Sequence, residues 1–230
     1  MTASSADGKG AGGLSAPIAR LAIVAAFVAL WQVAPAAGLI DPRLLPPPSD
    51  VVAMLVRLLG EADFRVHIAT TLSETAVAFL IAVPAGFLLS VLIGESPYLS
   101  AVFKPLVFFI FSIPKSIFLP LFIFGFGITF QQKVAFGVFS TIFIVMMLSF
   151  AALESVRSDL IRVAMIFNFT GVLLAEMYAS RRGLGNVIEQ WGQGFQLDRL
   201  LATIVLVAAI AIVFNEAIRA LETRSEHWRV

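Results

Sequence analysis

Cysteine is absent from this 230-residue chain, which excludes disulfides, thiolate metal sites and cysteine nucleophiles. Histidine occurs twice, as His67 and His227, too far apart in sequence to suggest a ligand pair, and both read as interfacial or solvated side chains. Charged residues make up only 13% of the chain, where a soluble domain of this size carries about 25%. A net charge of +1 gives no footing for nucleic acid or for an acidic partner. There is no GxxxxGK-Ser/Thr phosphate loop; the single Gly-Lys pair, Gly8-Lys9, lies in a tail of small residues. No nucleophile–base set, metal cluster or cofactor cradle emerges, so neither an enzyme nor a metal or cofactor is expected. If the chain takes part in uphill movement, the energy comes from elsewhere.

What the chain does have is apolar length. It is 59% hydrophobic with a mean hydropathy of +0.94, the composition of a chain that sits mostly in lipid. We therefore expect an all-α polytopic membrane helix bundle with five clear spans and one shortened one. Residues 1–16 read as a disordered tail and 17–230 as the membrane domain. Pro17–Ala34 is expected as a retained first span with Trp31 at its outer interface, the other reading being a cleavable signal peptide. Gly38–Asp50 holds four prolines and reads as a loop, with Ser49 or Asp50 capping a short interfacial helix that starts at Val51. A second span runs from about Val66 to Gly94, with a bend at Pro84 and Gly86. Glu74, two turns in, either stays near the outer interface or faces other helices.

The stretch Lys104–Gly127, KPLVFFIFSIPKSIFLPLFIFGFG, is the centre of the sequence. It is long enough to cross a bilayer, yet it holds Pro105, Pro114 and Pro120 and places Lys115 near its middle. Proline removes a backbone donor and clashes with the preceding turn, so this span is expected to break around Ile113–Pro120. A broken helix in a membrane is tolerated only where protein or a water-filled cavity satisfies the freed carbonyls. Lys115 has two readings: a side chain snorkelling to an interface, or part of the wall of a pathway.

A turn over Phe126–Lys133 leads to a fourth span, Val134 to about Leu153, whose Met146-Met147 pair reads as packing. Val163–Ala175 is apolar apart from Asn168 and Thr170. As a helix of 13 residues it reaches only about 20 Å, short of the hydrocarbon core. It crosses if its charged flanks are drawn in; otherwise it re-enters and the last span inverts. Residues 180–199 are glycine-spaced and polar and read as a structured loop, followed by a last span from Leu200 to about Phe214. The distribution of lysine and arginine mildly favours the N-terminus inside.

In this order the motifs resemble a known family. LIDPRLLPPPSDVV, SIPKSIFLPLFIFGFGI, ALESVRSDLIRVA, AEMYASRRGLGNVI and DRLLATIVLV are similar to successive segments of the membrane-spanning permease subunits of ABC importers. The branch is the one that serves nitrate, taurine, alkanesulfonates and related small organic substrates. The resemblance covers almost the whole chain and implies a type I importer permease in the bacterial inner membrane, in contact with lipid. It also implies a homodimer of permease subunits enclosing one pathway, an extracytoplasmic substrate-binding protein and cytoplasmic ATPase subunits. Carried over, Pro114, Leu119, Pro120 and Gly125 fall on the third-span signature, and Glu176, Gly183 and Gly185 on the outer loop. Pro114, Lys115, Pro120 and Glu176 are thereby the candidates for the translocation path or gate. Glu154, Arg157, Asp159 and Arg162 form what remains of the ATPase-facing segment.

One departure matters. The family docks its ATPase through a cytoplasmic loop that carries a glycine and then a Leu-Pro end. Here no glycine occurs between Phe150 and Gly171, and Pro120 is the last proline. By the family pattern roughly thirty residues are missing, more helix than a bilayer is thick. Two further readings stand beside an ATP-driven importer: an ion-coupled secondary carrier using Lys115, Glu74 and Glu176, and a truncated remnant without transport activity.

Overall fold

The computed structural model describes residues 16–154 and 160–226. Among them every regular element is helical: α1 (Ala16–Ala36), α2 (Pro48–Gly60), α3 (Ala62–Gly94), α4 (Pro97–Ser112), a 3-10 turn (Lys115–Phe118), α5 (Leu119–Phe126), α6 (Phe130–Glu154), α7 (Leu160–Tyr178), α8 (Leu184–Gln193) and α9 (Leu197–Glu226). Five of these are long and apolar enough to cross a membrane, and α4 with α5 makes a sixth if the bent pair is one span. The all-α polytopic bundle is therefore what the chain forms.

The core is three helices, α3, α6 and α7, and its packing follows from small residues. In a bilayer, lipid is as apolar as leucine, so helices associate where small side chains let backbones approach. A Cβ placed on Gly137 would stand 2.9 Å from the Cβ of Ala78 and 3.0 Å from Val172. One on Gly86 would stand 2.9 Å from Val145, and one on Gly171 2.9 Å from Ser140. The buried face of α3 reads Phe64, His67, Thr71, Thr75, Ala78, Ala82, Gly86, Ser90, a stripe of mostly small or polar residues at helical spacing.

These contacts also set direction. Glu74 meets Lys133, Ala78 meets Gly137, and Gly86 meets Val145; in each pair the partner lies 59 positions further on. A constant offset means that α3 and α6 run parallel, so the segment between them returns across the bundle. Along α7 the pairing reverses: Lys133 meets Ser180, Gly137 meets Val172, and Thr141 meets Asn168. Helix α7 is thus antiparallel to α6 and ends where α3 and α6 begin. Its 19 residues reach about 28 Å, close to the hydrocarbon thickness. The short apolar stretch is lengthened by drawing in its flanks, as one of the two expectations required.

The break in the central stretch is at Ile113-Pro114, with α4 and the following helical piece bent by 90°. Pro120 sits in the first turn of α5, where the missing N–H has no bond to make. Lys115 turns back and donates to the carbonyls of Ile110 (3.2 Å), Phe111 (2.6 Å) and Ile113 (3.1 Å), with its ammonium over the Phe111 ring. It satisfies the carbonyls of Phe111 and Ile113 at the break and shares that of Ile110 with the Ile113 N–H.

Four boundaries differ from the sequence reading. Helix α2 starts at Pro48, after Pro47, so Ser49 and Asp50 lie inside its first turn rather than capping it. Ser49 is instead joined to Gln32 of α1, its hydroxyl accepting from the amide and its backbone N–H donating to the amide oxygen. Helix α3 runs through Pro84 and Gly86 as one uninterrupted element. Helix α6 begins at Phe130, taking up the end of the expected turn. Residues 184–193, expected within a loop, form α8, because Leu184 and Val187 point the same way into a cluster with Val51, Leu58, Phe64 and Ala202. Helices α2 and α8 thus lie together across one end of the bundle.

Candidate functional site

That end holds the densest polar cluster among the described residues, and it is built from pieces far apart in sequence. Glu176, in the last turn of α7, is fully buried. Its carboxylate accepts from the Thr71 hydroxyl at 2.7 and 2.9 Å and from the Gly185 N–H at 2.8 Å. Thr71 accepts in turn from the Leu184 N–H at 2.7 Å, and His67 Nδ1 accepts from the Gly183 N–H at 2.9 Å. Three successive N–H groups at the head of α8, those of Gly183, Leu184 and Gly185, are therefore held by side chains of α3 and α7. These are the donors that a helix start leaves without partners, and a carboxylate there is favoured by the helix dipole as well.

Both glycines are required by space. Gly183 has φ +110°, and a Cβ on it would overlap the Glu176 carboxyl. A Cβ on Gly185 would overlap the Leu173 carbonyl and come within 2.8 Å of Glu176 Cβ. The glycines let the turn after α7 lie directly on the carboxylate.

A second charged group adjoins the first. Glu74 of α3, fully buried, pairs with Lys133 of α6 at 2.5 Å, and Lys133 donates to Ser180 at 2.9 Å. Ser180 also bonds the backbone of Arg182, and its carbonyl accepts from Asn186. So two carboxylates and one lysine are closed off within a few ångströms of three helix ends. Glu74 faces other helices rather than the interface. His67 is buried, not solvated, and its role is to hold the turn before α8.

Between the start of α6 and the turn Ser180–Arg182 lies an open cavity of about 310 Å³, lined by Thr70, Glu74, Thr129, Phe130, Lys133 and the two arginines. Arg181 and Arg182 are exposed at its rim.

The sequence candidates thus separate. Glu176, Gly183 and Gly185 are brought together. Lys115 is engaged at the α4 end, and Pro114 and Pro120 flank the break. Arg162 lies at the opposite end of the bundle, in the first turn of α7. Arg157 and Asp159 lie outside the described residues, as does His227, and Glu154 stands at their edge. Reading the sequence missed Thr71, His67, Lys133 and Ser180. The spacing of His67, Thr71 and Thr75 within an apolar helix is the signal that marks the first two.

No family model matches the chain. Individual proteins do. The taurine transport system permease protein TauC of Escherichia coli is 26% identical to it, over 89% of this chain and 87% of its own length. The putative aliphatic sulfonates transport permease protein SsuC of Bacillus subtilis is 23% identical over 91% of this chain and 87% of its own length. The formylaminopyrimidine transport permease protein ThiX of Halalkalibacterium halodurans is 24% identical over 88% and 92%. The chain is related to the ABC importer permeases of the taurine and alkanesulfonate type. Such permeases are transport proteins rather than enzymes, and this chain has five, or with the bent pair six, helices long and apolar enough to cross a membrane. The polar cluster lies at the end of the bundle opposite the start of α7.

Proposed function

We propose that this chain is the membrane-spanning subunit of an importer for a small sulfonate or similar organic anion, and that its ATPase-docking segment has been lost. The observation that carries the first part is the similarity to three transport permeases over about nine-tenths of the chain. On this reading two copies enclose the path, a binding protein delivers substrate to the end carrying α2 and α8, and ATPase subunits face the other end. Pro114, Lys115 and Pro120 then form the angled wall of the path, and Glu176 with Gly183 and Gly185 forms the outer lock.

Two observations support the loss. Helix α6 ends at Glu154 and α7 starts at Leu160, so five residues lie between them, too few for a docking helix. The alignment with TauC runs over 240 positions but takes in 89% of 230 residues, about 205, leaving about 35 positions of the relative without a counterpart here. With SsuC, 239 positions take in 91%, about 209, leaving about 30.

The test is reconstitution of the full chain in proteoliposomes with an ATPase subunit and a binding protein of the sulfonate type. The expected result is basal ATP hydrolysis that substrate does not stimulate. Inserting the corresponding segment of TauC after Ala164 is expected to restore stimulation. Substrate-stimulated hydrolysis through the unmodified chain overturns the loss of coupling; no stimulation and no uptake even with the segment restored overturns the importer reading.

A further inference from the structure

We propose that the cavity between the start of α6 and the Ser180–Arg182 turn is a binding site for the oxyanion group of a small organic molecule, a sulfonate being the best fit. Its lining carries Lys133, Arg181 and Arg182 against Glu74, an excess of two positive charges. Glu74 is already engaged by Lys133 at 2.5 Å, so the rim guanidiniums are left without a carboxylate among the described residues. Neither arginine side chain makes a hydrogen bond within the described chain. Arg182 is anchored through its backbone, by its N–H to Ser180 Oγ at 3.1 Å, which fixes the turn while leaving the guanidinium available.

Two further features favour an anion over a neutral guest. Helix α6 begins at Phe130 on the cavity wall, so the positive end of a 25-residue helix dipole adjoins it. The floor is rigid, because Lys133 is held from two sides, by Glu74 and by Ser180. Guanidinium groups match a three-oxygen head group in two-pronged fashion, and a rigid floor keeps the ordering cost low. At about 310 Å³ the volume suits a molecule of a few heavy atoms beyond the head group. The site's place in transport rests on the importer reading, whereas binding itself does not.

A lipid phosphate presents the same chemistry, and the experiment separates the two sources. The full chain is placed in phosphatidylcholine nanodiscs and titrated calorimetrically with ethanesulfonate. Saturable binding is expected, weakened at least about tenfold in the Arg181→Ala/Arg182→Ala variant. The Arg43→Ala/Arg57→Ala variant removes two charges from the same end but from a different cavity, and its affinity is expected to stay within about twofold of the parent. In discs rich in phosphatidylglycerol the affinity is expected to change by less than about threefold. No saturable binding, equal weakening in both double variants, or full affinity without Arg181 and Arg182 overturns the proposal. Collapse of binding in the anionic discs assigns the site to a lipid phosphate and overturns it equally. Binding that needs the arginine pair, in a chain that transports nothing after segment repair, sustains the site and removes the importer reading. Uptake after segment repair together with sulfonate binding that survives loss of the arginine pair does the reverse.

Discussion

Lys133 is the residue on which the polar end of the bundle balances. It is 5% exposed and faces Glu74, which is fully buried, with Glu176 close by. Removing one partner of a buried pair strands the other charge, at a cost of about 3–5 kcal/mol, while removing both together costs far less. Lys133→Met is therefore expected to lower the melting temperature in detergent sharply, and Glu74→Gln/Lys133→Met to recover most of the loss. Equal melting of the single and double variants would show that the pair is not coupled. Glu176, Gly183 and Gly185 were singled out through the resemblance of AEMYASRRGLGNVI to the outer-loop segment of the permeases, not through their own spacing. Their partners were not, since Thr71 and His67 lie more than 100 positions away and hydroxyls in an apolar helix carry no local signature.

At the scale of elements, the break between α4 and α5 is held by a side chain as well as by proline. Three carbonyls of the α4 end take their hydrogen bonds from Lys115. Leaving a carbonyl unsatisfied costs about 1–3 kcal/mol. Lys115→Met is expected to destabilise the chain by at least that for one group, with Lys115→Arg close to the parent, followed by tryptophan-fluorescence melting in detergent. A Met variant that melts like the parent would leave Lys115 with a role in the path alone. The break itself was readable from Pro114 and Pro120, because proline acts through its own ring wherever the rest of the chain lies. The continuity of α3 through Pro84 and the existence of α8 were not. Both depend on neighbours: α6 packs along α3 beside Gly86, and α7, α9 and α3 supply the surface on which α8 folds. Helix packing in lipid also inverts the soluble pattern, so the buried face of α3 is its small and polar side while Leu80, Phe87, Leu88 and Leu92 face outward.

For the whole molecule, the parallel pairing of α3 with α6 and the antiparallel pairing of α6 with α7 fix an even number of crossings from the start of α3 to the end of α7, to which α9 adds one more. Because the chain lacks cysteine, single reporters test this directly. In right-side-out vesicles Gln193→Cys is expected to react with a membrane-impermeant maleimide, and Tyr98→Cys and Arg219→Cys only after permeabilisation. Labelling of positions 98 and 193 from the same side would mean that α7 does not cross. The order of synthesis gives the polar seam another meaning. Helix α7 carries Asn168 and Glu176 and has the lowest mean hydropathy of the five candidate spans, 1.3 against 2.6 for α3. A carboxylate at mid-membrane costs a solitary helix about 2.5–3.5 kcal/mol on entry, less towards its end. Asn168 donates to the Thr75 carbonyl at 2.7 Å, and Glu176 accepts from Thr71; both partners sit on a helix made about a hundred residues earlier. By the time α7 leaves the ribosome, its receptors are already standing in the bilayer. Insertion of α7 is therefore expected to depend on α3, and a defect in α3 to show first, in insertion assays, as poor entry of α7.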